Sequence, residues 1–115
     1  MRGLHAIAAA TIALAASPAY GDAQSAEAEI RAEKVVKDML YQPGQVVEWQ
    51  IGVLTDGTDR YGLAEYICIV LAEHGVVSAR TEVRIVDIAR VAKGEGFRDA
   101  SLGRVNCASG RRERP

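Results

Sequence analysis

Val46-Val47-Glu48-Trp49-Gln50-Ile51-Gly52-Val53-Leu54 places Val47, Trp49, Ile51 and Val53 on one face and Glu48, Gln50 and Gly52 on the other. An apolar period of two marks a strand with one face in a core. On this face Trp49 reads as a core residue. The strand is followed by the polar loop Thr55-Asp56-Gly57-Thr58-Asp59-Arg60 and then by residues 61–74, rich in apolar side chains and closed by Gly75. Glycine after the last periodic residue is a helix stop, so 61–74 is expected to be helical. Ile67-Cys68-Ile69-Val70 favours a strand, and Asp56-Gly57 suits a hairpin turn. These signals leave a second fold open, with one helix on a four-stranded antiparallel meander.

Residues 81–91 are β-branched, with apolar groups on both faces, and read as a central strand. Lys93-Gly94-Glu95-Gly96 turns the chain, and 97–107 reads as a returning strand. Upstream, 25–40 shows Ile30, Val35, Val36, Met39 and Leu40 at helical spacing, acids early and Lys37 late, which suits a helix and its dipole. Gln42-Pro43-Gly44-Gln45 ends it in a turn. The expected fold is a small two-layer α+β domain in the order α-β-α-β-β, with a mixed three-stranded sheet, two helices and one disulfide. A crossover through the second helix sets the first two strands parallel, and a hairpin adds the third antiparallel.

The amino end reads as an export signal. Met1 and Arg2 precede an uncharged apolar run from 4 to 16, followed by Ser17, Pro18, Ala19, Tyr20 and Gly21. Thirteen residues fall short of the roughly 20 needed to span a bilayer. Small residues fit cleavage in two frames, Ser17 with Ala19 or Ala19 with Gly21, and the cut after Gly21 is favoured. The organisation expected is then a cleaved signal peptide (1–21), a disordered segment (22–26), one domain (27–108) and a disordered basic tail (109–115). The location expected is periplasmic or extracellular, with no stable membrane insertion after cleavage. An oxidising compartment favours pairing of the two cysteines, Cys68 with Cys107.

Few constellations point to chemistry. After signal removal His74 is the one histidine, at a helix end where it reads as a cap. No Ser-His-Asp set, metal set or phosphate loop is legible, and no metal or other cofactor is expected. Asp56, Thr58, Asp59 and Arg60 form a candidate ligand loop at the carboxyl end of a strand, where open α/β sheets bind ligands. Capping of the helix by Thr58 or Asp59 is the plainer reading.

Charge is uneven: residues 22–79 hold ten acids and four bases, and residues 80–115 hold five acids and nine bases. Opposite blocks of this kind pair in a folded domain. Alternatively Arg104, Arg111, Arg112 and Arg114 form a basic patch for an anionic partner. Nucleic acid is disfavoured, as no aromatics interleave the bases. The function expected is that of a small exported binding or accessory protein, acting on another envelope protein or an anionic polymer or other anionic ligand, with an enzyme disfavoured. The alternative is a small hydrolase working through Asp56 and Asp59.

Overall fold

The computed structural model describes residues 18–42, 44, 46–54 and 58–113. Two long helices, α1 (Pro18–Arg31) and α2 (Tyr61–Glu73), share a core with one face of a five-stranded sheet. The strands are β1 (Val36–Gln42), β2 (Val47–Val53), β3 (Thr81–Asp87), β4 (Ser101–Asn106) and β5 (Arg112–Glu113). A short helix, α3 (Ile88–Ala92), follows β3. Spatial order follows chain order, β1-β2-β3-β4-β5. Only β2 and β3 pair in parallel, and the other three pairings are antiparallel.

The fold is α+β with a mixed sheet, as expected, but the order of elements among the described residues is α-β-β-α-β-α-β-β. The expected helix over 25–40 stops at Arg31, and 36–42 is a strand. Hairpin pairing across the Gln42-Pro43-Gly44-Gln45 connection overrides the helical spacing there. It sets Met39 opposite Ile51 and Tyr41 opposite Trp49, so that both β1 residues add to the core. Leu40 falls on the other face. The expected strand over 81–91 is cut at Asp87, whose carboxylate accepts from the Ala89 amide at 3.1 Å and caps α3. The strand expected over 97–107 begins only at Ser101.

Two expectations of disorder are also corrected. Residues 22–26 lie within α1, which buries Ala26 and Ile30, one turn apart, against the sheet and α2. In the basic tail, Arg112 and Glu113 pair with Val105 and Arg104 as β5. Tyr61 adds a side-chain contact to β5, its hydroxyl donating to the Glu113 carbonyl at 2.7 Å. The Arg112 guanidinium lies 5.1 Å from the centre of the same ring. Beneath it is Gly103 at φ +149°, where a Cβ would come within 3.1 Å of the ring. A side chain at 103 would therefore both strain the backbone and displace Tyr61. Arg114 and residues 1–17 lie outside the described residues.

Helix α2 forms as expected and ends in a Schellman arrangement. The Val76 amide donates to Leu71 O and the Gly75 amide to Ala72 O, with Gly75 at φ +74°. Its start differs from expectation, because Arg60 and neither Thr58 nor Asp59 occupies the cap position. Ala64, Ile67, Cys68, Val70 and Leu71 are buried against Trp49, Ile51, Val53, Val83, Ile85 and Val105 of the sheet. Trp49 is a core residue, stacked on Tyr41 with ring centres 4.2 Å apart. Polar contacts hold α1 on α2: His74 and Glu29 pair at 2.8 Å, and the Tyr66 hydroxyl donates to Glu33 at 2.7 Å.

Cys68 and Cys107 are bonded, with Cα atoms 5.1 Å apart and a separation of 39 positions along the chain. The bond ties the middle of α2 to the end of β4, across the segment that contains β3 and α3. In the chain-entropy model a closed loop of this length is worth roughly 4 kcal/mol. Replacing both cysteines with alanine is expected to cost up to about that amount. Urea titrations followed by Trp49 fluorescence will measure the loss, and superimposable curves would contradict it.

Candidate ligand-binding site

Alternation along the strands assigns one face of the sheet to the helical core and gives the other a different chemistry. Strand register aligns Leu40, Gln50, Arg84, Arg104 and Glu113 in one row across all five strands. On one side of it runs a row with Glu48, Glu82 and Asn106, and on the other a row with Asp38, Gly52 and Val86. Arg84 and Arg104 are direct cross-strand partners, an arrangement that repels unless acids are interposed. Acids are interposed here. Arg84 Nε donates to Glu48 Oε2 at 2.9 Å, and Arg104 lies 3.2 Å from Glu82 and 2.7 Å from Glu113.

Burial pushes the Glu82 carboxyl above its ordinary value; Arg104 opposes that shift, and Glu113 and Glu48 reinforce it. Gln50 and Arg84 are each only 6% exposed. The Gln50 amide nitrogen donates to Glu48 Oε2 at 3.0 Å, so a single carboxylate oxygen receives both Gln50 and Arg84. Gln50 Oε1 and Arg84 Nη1 are buried and have no hydrogen-bond partner.

Beside this network the apolar end of the face forms a concavity of about 250 Å³. Leu40, Gln50, Val86, Ile88, Val91 and Phe97 line it, with Asp38 also at its wall. It exists because α3 turns back over the sheet as soon as β3 ends. Gly52 permits that approach, since a Cβ there would stand 3.1 Å from Ile88 Cδ1. Asp38 is already engaged, its Oδ1 accepting from the Met39 amide at 2.8 Å and lying 3.8 Å from Arg31.

The residues singled out in the sequence are dispersed. Asp56 lies outside the described residues. Thr58 and Asp59 are exposed, and Arg60 is half-buried with its amide donating to Leu102 O at 2.8 Å. None of these three lines the concavity. Of the basic patch, Arg104 pairs with Glu82 and Glu113, Arg111 with Glu113 at 3.5 Å, and Arg112 with Glu65 through two hydrogen bonds of 3.0 and 3.2 Å. The opposite charge blocks thus meet in the fold, and these three arginines are paired. Arg114 lies outside the described residues. Among the described residues no group of three His, Cys, Asp or Glu side chains could hold a metal ion.

Sequence reasoning missed Glu48, Gln50 and Arg84. The signal available was the polar face of the 46–54 alternation, together with an arginine between Val83 and Ile85. No family model, curated protein or solved structure matches the chain.

Two outcomes follow from the charge pairs. The hydrogen bonds from Arg112 hold the Glu65 carboxyl below its ordinary value of 4.5. A depressed folded value stabilises the fold above the unfolded value, and that contribution is lost as pH falls through the folded one. A chain ending at Gly110 is therefore expected to return Glu65 to the ordinary range in an NMR titration. It is also expected to be less stable than the full chain, by about 1 kcal/mol for the Tyr61 hydrogen bond alone.

Glu48→Ala leaves a buried guanidinium without its acceptor, and breaking such a pair costs about 3 kcal/mol or more. Glu48→Gln, which retains an acceptor, is expected to lose less. Urea midpoints of the two variants will rank them.

Proposed function

We propose that the chain is a small exported binding protein, periplasmic or secreted, which acts on another envelope protein as an inhibitor or accessory factor. The observation that carries this reading is the concavity beside α3. Its lining is mostly apolar, with Gln50 and Asp38 as the polar residues on it, the composition of a recognition site rather than of a catalytic one. The disulfide agrees with an oxidising compartment. No described helix is long and apolar enough to cross a membrane. Cleavage after Gly21 leaves Ala26 and Ile30, the core residues of α1, on the mature chain.

A protein partner is favoured over an anionic polymer, because Arg104, Arg111 and Arg112 already spend their charge on Glu82, Glu113 and Glu65.

Mass spectrometry of the protein recovered from the envelope fraction is expected to show a mature start between Tyr20 and Gln24. An intact Met1 on cytosolic protein would overturn the address. With the oxidised mature chain immobilised, an envelope extract is expected to yield a stoichiometric partner that the heat-denatured chain does not retain. Failure to retain any partner, together with hydrolysis of an ester or glycoside that Asp59→Ala abolishes, would overturn the binding reading in favour of a hydrolase.

A further inference from the structure

We infer, independently of the binding reading above, that Arg31 and Asp38 guard the open edge of the sheet: they occupy the outward main-chain groups of Met39 and so keep β1 from pairing with β1 of a second copy of this chain. Among the described residues β1 pairs with β2 alone and forms one border of the sheet. A border strand offers unpaired N–H and C=O groups as a template for a further strand. The register shift between Val36 and Asp38 disturbs that row at its start, which leaves the stretch from Met39 to Gln42 in regular register.

In an antiparallel pair, successive residues turn both main-chain groups alternately towards the partner and away from it. Met39 is of the second kind. Its amide donates to Asp38 Oδ1 at 2.8 Å, and its carbonyl accepts from Arg31 Nη2 at 3.2 Å. By the same alternation Tyr41 turns its groups outward as well. Arg31 is the last residue of α1, and its Nε donates to Glu27, one turn earlier, at 3.0 Å. The Arg31 guanidinium also lies 3.8 Å from Asp38. The end of α1 thus delivers one side chain across the edge, and Asp38 closes the other half of the same site. An incoming strand has to displace both before it can bond to Met39.

The occupant follows from symmetry. Two β1 strands laid antiparallel about a two-fold axis at Leu40 pair Met39 of each copy with Tyr41 of the other. Each such pair exchanges both main-chain hydrogen bonds. The same register sets Leu40, 45% exposed, directly against its own copy, at the position where facing side chains approach most closely. One patch that complements itself is the condition for a closed dimer.

Stability is not what the guard supplies. The Arg31 and Asp38 side chains are 47% and 68% exposed, and ion pairs in that setting contribute little. Removing them changes what the edge can bond more than it changes the fold.

The test is sedimentation of the oxidised protein at rising concentration, with amide hydrogen exchange read by NMR. The parent protein is expected to stay monomeric from micromolar to millimolar concentration. Arg31→Met combined with Asp38→Ala is expected to double in mass over that range, with exchange at the Met39 and Tyr41 amides slowed about tenfold or more as the dimer forms. Arg31→Lys and Asp38→Asn, which keep a donor and an acceptor, are expected to remain monomeric. Leu40→Lys added to the double variant sets like charges opposite each other and is expected to restore the monomer.

Trp49 fluorescence in urea shows that each variant folds. Should the double variant not fold, Asp38→Ala alone decides, since it frees the Met39 amide and is expected to dimerise at the upper end of the range. A parent protein that dimerises through β1, a folded unguarded variant that stays monomeric, association that Leu40→Lys leaves unchanged, or slowed exchange at β5 in place of β1 would each overturn the inference.

Discussion

Parallel pairing of β2 with β3 is the constraint from which the architecture follows. Two parallel neighbours cannot be joined by a tight turn, so the chain between them has to leave the sheet and cross one of its faces. It does so as α2, and the face that α2 crosses becomes the core. Trp49, Ile51, Val83 and Ile85 point towards it, α1 adds Ala26 and Ile30, and the disulfide secures α2 to the end of β4. By alternation, every residue between those core positions is turned to the opposite face.

That second face is organised by charge rather than by apolar burial. Two arginines sit side by side on β3 and β4, and Glu48, Glu82 and Glu113 are distributed around them. Such a network contributes less to net stability than an apolar surface of the same size, since each buried charge first loses its hydration. What it supplies is fixed orientation. Glu48 receives Arg84 and Gln50 on one oxygen and thereby fixes the orientation of the Gln50 amide.

The elements legible in the sequence were those whose periodicity had one reading. The 46–54 alternation, the parallel-crossover relation between the first two expected strands and the Gly75 helix stop all recur in the fold. Val35, Val36, Met39 and Leu40 fit the spacing of a helix, and pairing with β2 made 36–42 a strand. α3 has five residues and β5 has two, too few for any period to show. The disulfide was legible from cysteine count and expected compartment together. The concavity was not: the polar density lies at 55–60, whereas the lining is mostly apolar and comes from β1, β2, β3, α3 and Phe97. No window of consecutive residues contains that set.

The match between spatial order and chain order gives the sheet a direction of assembly. Each strand is added beside the one synthesised immediately before it, so a chain emerging amino end first never waits for a distant partner to complete an inner strand. Loop closure is then short at every step except the α2 crossover, which favours rapid folding over trapping. Until the last strand docks, the growing sheet presents one unpaired edge, the kind of template on which chains aggregate. β5 closes that edge beside β4 with two residues latched by Tyr61. On the opposite border the register shift between Val36 and Asp38 interrupts β1. The sheet therefore carries a device against edge-to-edge growth at both borders.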